Sequence, residues 1–198
     1  SAASILMSRR APELMKEAVK LLEHAVSTWP TSVETRRDLA SCLYQAGDTE
    51  ASEKAYRALL DQNRNDVLAL NDLAWVLQER SERYDEALEL VNQGIRIAPT
   101  DVHLLDTKGT ILSKMSGRLA EAKSCFEQIV GLSGADPRRL ATTHVQLGRI
   151  CIGLGDPAQA KQHLDAALEV DRTYNVLTAE QRSEITRLIE GLASPPSP

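Results

Sequence analysis

Aromatic side chains are scarce in this chain of 198 residues. They make up 4% of it, with one phenylalanine, two tryptophans and four tyrosines. A core with so few rings must be built from Leu, Ala, Ile and Val, which suits closely packed helices better than a β-sandwich. Hydrophobic residues make up 42% and charged residues 26%, which is ordinary for a globular protein. The composition therefore favours an all-helical core.

The chain also lacks long apolar runs, an excess of basic residues and paired cysteines. No run approaches the ~20 apolar residues of a membrane span, so we expect no membrane insertion. The net charge is −5 and the cations are scattered, which argues against nucleic-acid binding. Three widely separated cysteines argue against a disulfide framework and favour a cytoplasmic location, although an excised periplasmic domain would have the same composition. The four histidines have no paired metal-binding spacing, so we expect neither a metal nor a cofactor.

A small residue recurs at nearly constant spacing along the chain. Its positions, separated by 34, 35, 35 and 38 residues, are Ala18, Ser52, Ala87, Ala122 and Ala160. A large apolar side chain follows each of them four residues later, and another apolar or small residue follows at seven. This relation marks one face of a helix, so the pattern indicates an internal repeat of helices.

A second series of small residues shifts together with the first. It consists of Ala40, Ala74, Gly109 and Gly148, with gaps of 34, 35 and 39 residues. A small residue lets two antiparallel helices approach closely, and the large residues of the first series fill the space between one pair and the next. No single pair could bury its apolar face alone, so the pattern predicts stacked helix pairs.

These residues resemble the tetratricopeptide repeat, and in particular bacterial arrays of it. The resemblance covers roughly residues 11 to 172 and is carried by Asn71-Asp72-Leu73-Ala74-Trp75, by Tyr84-Asp85-Glu86-Ala87-Leu88, and by Pro30 and Pro99 at the closing position. Arg64, Gly134 and Arg172 depart from the pattern at that same position. The resemblance implies an all-α fold, a right-handed α-solenoid of about four to five antiparallel helix pairs with a C-terminal capping helix.

The repeat series also predicts how the chain is divided. We expect an incomplete repeat over residues 1–32 (mainly its second helix), repeats over 33–66, 67–101, 102–136 (with an extended loop) and 137–173, a capping helix over 174–193 and a Pro/Ser linker over 194–198. Asp136-Pro137 and Asp156-Pro157 are typical helix starts. A capping box from Thr178 to Gln181 precedes an apolar stripe formed by Ile185, Leu188, Ile189 and Leu192, which indicates the capping helix.

In the tetratricopeptide repeat family the first helices of successive repeats line a concave groove that binds ligands. The resemblance therefore gives the following candidate groove residues: Arg37, Asp38, Ser41, Tyr44, Asn71, Asp72, Trp75, Gln78, His103, Asp106, Thr110, Lys114, Gln146 and Arg149. Members that bind chaperone tails use a carboxylate clamp, and the matching positions here keep a single cation and include the acidic Asp72, which disfavours that ligand. When Glu34 and Glu79 on the same faces are included, acidic residues outnumber basic ones by five to three, so we expect a neutral to mildly basic segment with an apolar anchor near Trp75 and Tyr44. The alternative is that Trp75 only packs against its neighbours.

The sequence favours a protein-interaction scaffold or adaptor over an enzyme. It contains no nucleophile elbow, phosphate-binding loop or carboxylate pair, so we predict no catalytic residues. Two alternatives stay open. The chain could form homo-oligomers through an exposed N-terminal face, or it could be an accessory domain of a larger enzyme or of a bacterial secretion or exopolysaccharide machine.

Overall fold

A computed structural model describes the backbone of residues 2–80, 82–132 and 136–193. Side chains are described within these ranges from Glu13 onward, except those of residues 80 and 193. Residues 133–135 of the expected extended loop and the expected linker over 194–198 lie outside the described residues. The described residues contain no strand, and their α-helices are α1 (Ala2–Thr28), α2 (Val33–Gln45), α3 (Thr49–Gln62), α4 (Val67–Arg80), α5 (Tyr84–Ile97), α6 (Val102–Lys114), α7 (Leu119–Gly131), α8 (Pro137–Gly153), α9 (Pro157–Tyr174) and α10 (Ala179–Ala193). The all-α prediction is confirmed.

Side-chain caps fix the starts of several helices. Asp136 and Asp156 each accept a hydrogen bond from the backbone N–H three residues later, and a proline follows each of them. Before α10, the Thr178 backbone N–H donates to Gln181 Oε1 at 2.8 Å, and the Gln181 N–H donates to Thr178 Oγ1 at 3.2 Å. These bonds satisfy backbone donors that have no partner within the helix. The predicted caps are therefore confirmed.

Residues 1–99 form one compact unit, called unit 1, which contains α1 to α5. Consecutive helices pack against each other, and α2 also contacts α4. Ala40, Leu73, Ala74 and Val91 have no exposed surface, which is consistent with their positions in the repeat series. Small residues at these contacts allow the helices to approach closely, so the core of unit 1 lies where the sequence periodicity places it.

Residues 100–198 form a second compact unit, called unit 2, in which α6 to α10 pack in chain order. Two of its helical glycines lie at close helix contacts. A Cβ atom on Gly109 would be 2.7 Å from the Phe126 ring, and one on Gly148 would be 2.7 Å from Leu164 Cγ and Cδ2. Ordinary van der Waals contacts are longer than these distances, so the predicted role of the small residues is confirmed at both positions.

Helix α10 covers the apolar surface of α8 and α9 within unit 2. Ile185 is fully buried against Leu164 and Ala167, and the rest of the predicted stripe packs around them. A polar contact joins the same elements, because Asp171 on α9 accepts hydrogen bonds from Arg182 on α10 and from the Leu177 backbone N–H. The predicted apolar stripe therefore packs against the rest of unit 2, with Ile185 buried and its other members partly buried.

Candidate functional site

Unit 1 contains an open cavity of about 340 Å³ between α2, α3 and α4. It is lined by Ser41, Tyr44, Gln45, Tyr56, Asn71, Asp72, Trp75 and Val76. The lining side chains of α2 lie about one helical turn apart, and so do those of α4. Helix α3 contributes Tyr56. Five predicted groove residues meet in this cavity: Ser41, Tyr44, Asn71, Asp72 and Trp75.

A chain of hydrogen bonds forms the polar side of this cavity. The Tyr56 hydroxyl is buried, with 3% of the residue exposed, and it bonds to Ser41 and Asp72. Gln45 Nε2 donates to Ser41 Oγ at 3.3 Å, and Asn71 Nδ2 donates to Asp72 Oδ1 at 3.5 Å. The network therefore ends at the carboxylate of Asp72. The other polar groups of the network are neutral.

Burial dominates the electrostatics of the unit 1 cavity. It raises the pKa of Asp72, although hydrogen bonds from Asn71 and Tyr56 and the charge of Arg37 act in the opposite direction. Burial and the charge of Asp72 also raise the pKa of the Tyr56 hydroxyl, which stays protonated and donates. The guanidinium of Arg37 donates to Asp66 at 2.8 Å, so Arg37 forms a half-buried ion pair beside the cavity.

Unit 2 contains another open cavity of about 340 Å³, between α6, α7 and α8. Four predicted groove residues line it: Thr110, Lys114, Gln146 and Arg149. Phe126 supplies part of an apolar floor. Arg149 donates to Gln146 Oε1 at 3.3 Å and forms a salt bridge with Glu184 of α10. This cavity therefore combines an apolar base with a cationic rim that is already hydrogen-bonded within the chain.

The remaining predicted groove residues lie outside the linings of these two cavities. Gln78 is 1% exposed, so the prediction that it faces an open groove is wrong. It lies one helical turn after the fully buried Ala74 and therefore shares its buried face. Asp38 and His103 are exposed, and Asp106 is half-buried, which raises its pKa.

Sequence reasoning missed two features of these units. Tyr56 occupies a position filled by Leu, Val or Phe in the other repeats, and its hydroxyl was the signal that this position is not purely apolar. His144 and His163 lie 19 residues apart in the chain, yet their Nδ1 atoms are 3.2 Å apart and burial lowers the pKa of both. No sequence spacing indicates that contact. The described residues contain no group of three or more metal-binding side chains, nor any helix long and apolar enough to span a membrane.

Comparison with known protein families identifies two matching segments. Two family models described as tetratricopeptide repeat match residues 13–74 and 141–174. A curated relative, the TPR repeat-containing protein PA4667 of Pseudomonas aeruginosa, is 26% identical over 113 residues, which is 57% of this chain and 19% of the relative. The chain therefore spans about a fifth of the length of that relative.

Several solved structures share the fold. The structure of MamA 41-end from Desulfovibrio magneticus RS-1 matches with a TM-score of 0.69 and 20% identity, covering 87% of this chain and 93% of that one. TTC0263, a thermophilic TPR protein in Thermus thermophilus, matches with a TM-score of 0.70 and 16% identity, covering 93% of this chain and 95% of that one. At these identities the likeness shows the fold alone, and it confirms the predicted class, an all-α solenoid of helix pairs.

Proposed function

The chain belongs to the tetratricopeptide repeat family, and on that basis we propose that it is an adaptor domain that binds a segment of a partner protein in the unit 1 cavity. The family fold supports a role as a protein-interaction scaffold in general, and its members are typically not enzymes. One observation carries the finer proposal: two half-buried aromatic residues, Tyr44 and Trp75, line the same open cavity as the polar side chains of Asn71 and Asp72.

This combination suits the binding of a side chain and the adjoining backbone of a peptide. Large rings at a partly desolvated site are common binding hot spots because they bury much area at a low cost in side-chain entropy. A few polar groups then fix the orientation of the ligand, and the Asn71 amide is suited to a peptide carbonyl or N–H. The cavity volume of about 340 Å³ lies at the lower end of the range for ligand sites, so we expect it to hold one anchoring side chain.

The test is a selection of binding peptides from a random library, followed by affinity measurements on folded variants. We expect the double variant Trp75→Ala, Asn71→Ala to bind the selected peptides with an affinity at least about tenfold lower. A loss of this size corresponds to the removal of a modest hot spot. Trp29→Ala is the matched control, because Trp29 is 61% exposed and lies outside the cavity lining. Equal losses in both variants, or no loss in the double variant, would rule out the cavity as the binding site.

A second candidate function is self-association through α1. Leu14 and Leu21 lie seven residues apart on this helix and are 60% and 71% exposed. Exposed apolar side chains on one helix face are typical of a contact with another helix. Molecular mass measured across a range of concentrations tests this proposal, with Leu14→Glu combined with Leu21→Glu as the disrupting variant. A mass that stays at the monomer value over the whole range would rule out this proposal.

We also propose the predicted division of the chain into repeats. The ranges 33–66, 67–101, 102–136 and 137–173 each cover two helices that pack against one another, except that α9 extends one residue beyond the last range. The pairs are α2 with α3, α4 with α5, α6 with α7, and α8 with α9. Deletion of one whole range tests the division. The shortened chain should remain helical and unfold cooperatively, whereas deletion of about half that length, which removes one helix of a pair, should not leave a cooperatively folded chain.

A further inference from the structure

Asp72 is the one charged residue among the described residues that line the unit 1 cavity. It accepts hydrogen bonds from two neutral donors, Asn71 and Tyr56, and no cation among the described residues forms a salt bridge with it. The nearby guanidinium of Arg37 is hydrogen-bonded to Asp66 instead, and these two opposite charges offset each other. A carboxylate has about four acceptor sites, so Asp72 can accept further hydrogen bonds from a ligand.

The partial burial of Asp72 disfavours a purely apolar ligand. Such a group would remove the remaining water from the carboxylate without replacing its hydrogen bonds, which is a costly change for a charged group. A cationic donor would instead compensate the charge where it is already partly desolvated. The aromatic rings alone would accept either an apolar or a cationic side chain. The charge of Asp72 therefore favours the cationic one.

The rings of Tyr44 and Trp75 add a second reason for a cation. They come from different helices, α2 and α4, and both line the cavity that contains Asp72. Aromatic faces attract cations, and Trp does so most strongly. A guanidinium is flat, stacks on such rings and donates two parallel hydrogen bonds to one carboxylate, whereas an ammonium does neither.

We propose that the unit 1 cavity recognises an arginine side chain of the partner, with Asp72 as its counter-ion and Tyr44 and Trp75 as its aromatic contacts. This inference rests on the proposed function, because it names the chemical class of the anchor bound at that site. It also agrees with the expectation, drawn from the sequence, that the ligand is neutral to mildly basic.

The experiment uses small probes that differ only in the side chain. N-acetyl-arginine amide is compared with N-acetyl-citrulline amide, its neutral isostere, and with the lysine and leucine analogues. Binding is followed by NMR from the indole N–H of Trp75, which a Trp29→Phe variant distinguishes from the other indole. We expect the arginine probe to bind at least about tenfold more tightly than the citrulline probe. We expect Asp72→Asn to remove this preference. Asp106→Asn is the matched control and should keep the preference, because Asp106 is a half-buried aspartate outside the cavity lining.

A pH titration of the unmodified protein provides a second readout that does not depend on a folded Asp72 variant. Burial raises the pKa of Asp72, on which Arg37, Asp66 and Tyr56 also act. The preference for arginine over citrulline should therefore disappear as the pH falls through a value above the ordinary aspartate pKa. A preference that stays constant over this range would overturn the assignment of Asp72.

The outcomes separate this inference from the proposed function. If arginine and citrulline bind equally and calorimetry, which needs no indole signal, shows that both are lost in Trp75→Ala, the cavity is a binding site but the inference of a cation is wrong. Tighter binding of leucine or lysine than of arginine also overturns it. If selected peptides bind the cavity but none of the probes binds, the anchor is not an arginine. If neither peptides nor probes bind, the proposed function fails as well.

Discussion

Replacement of Gly148 by alanine should destabilise unit 2, although alanine is the better helix former. The added Cβ atom would lie 2.7 Å from Leu164 Cγ and Cδ2 and 3.4 Å from the Ala160 carbonyl oxygen. Leu164 has no exposed surface and packs in the cluster that contains Ala167 and Ile185. A shift of Leu164 would therefore disturb the packing of this cluster.

The expected size of the effect follows from two opposing contributions. An alanine in place of glycine within a helix stabilises it by up to about 1 kcal/mol. Overpacking of a well-filled core costs about 1–3 kcal/mol, and contacts of 2.7 Å are shorter than the 3.4–4 Å of ordinary contacts, so a value in the upper part of that range applies. We therefore expect Gly148→Ala to lower the free energy of unfolding by about 1–2 kcal/mol.

Urea unfolding followed by circular dichroism measures this difference. Gly191→Ala is the matched control, because Gly191 lies within α10 and a Cβ there would have no neighbour within 4 Å. This control should raise the urea midpoint while Gly148→Ala lowers it, at an unchanged slope. In a double-mutant cycle, Leu164→Ala should cost less in the Gly148→Ala background. A Gly148→Ala variant as stable as the Gly191→Ala variant would refute the close-packing argument.

Three further predictions concern polar groups. The hydrogen bond from Arg182 and that from a backbone N–H lower the pKa of Asp171, so its contribution to stability is present above the ordinary aspartate pKa and is lost as the pH falls below it. Asp171→Asn should therefore destabilise the protein at neutral pH, and the difference in urea midpoint should vanish in acid. Burial lowers the pKa of His144 and of His163, so stability should fall as the pH drops below the ordinary histidine value of about 6.5, and His163→Gln should reduce that dependence. The buried Ser52 hydroxyl donates at 2.8 Å to a carbonyl of α2, but alanine is the better helix former, so Ser52→Ala should change the unfolding free energy by less than about 1 kcal/mol in urea melts.

A different result would contradict each of these three predictions. An Asp171→Asn deficit that persists in acid would mean that shape and not charge holds α10 in place. An unchanged pH dependence in His163→Gln would show that the histidine contact does not couple to folding. A loss well above 1 kcal/mol for Ser52→Ala would mean that its hydrogen bond is worth more than the usual net value of about 0.5–1.5 kcal/mol.

Most of the fold could be predicted from the sequence because the core positions follow a strict period. Ala40 and Ala74 recur at a fixed interval and are fully buried, and the glycines of the same series lie against large side chains of the next helix. The caps were equally predictable, since Asp156 and Thr178 act on backbone amides within one turn. Local hydrogen bonds and a regular apolar face are both encoded in short segments.

The candidate site was less predictable because its members come from different helices. Trp75 and Gln78 lie three residues apart on α4, and the first lines a cavity whereas the second is buried. The family resemblance placed Gln78 on the groove face, but its position one turn after the buried Ala74 decided the outcome. The contact between His144 and His163 depends on how α8 packs on α9, which no local pattern specifies.

The close contacts of Gly109 and Gly148 have a consequence for building hybrid proteins. Gly109 is matched to Phe126 and Gly148 to Leu164, so in both cases the missing volume of one helix is supplied by the other helix of the same hairpin. At these two positions volume is thus balanced inside a hairpin. A Cβ atom on Gly153 of α8 would instead lie 2.9 Å from Leu119 of α7, so the neighbouring hairpins α6–α7 and α8–α9 are also matched to each other. Chimaeras that exchange whole hairpins between related chains should keep this balance, whereas chimaeras with a crossover between the two helices of a hairpin would create a clash or a void. Viable recombination points should therefore lie in loops between other hairpins, such as residues 63–66 between α3 and α4.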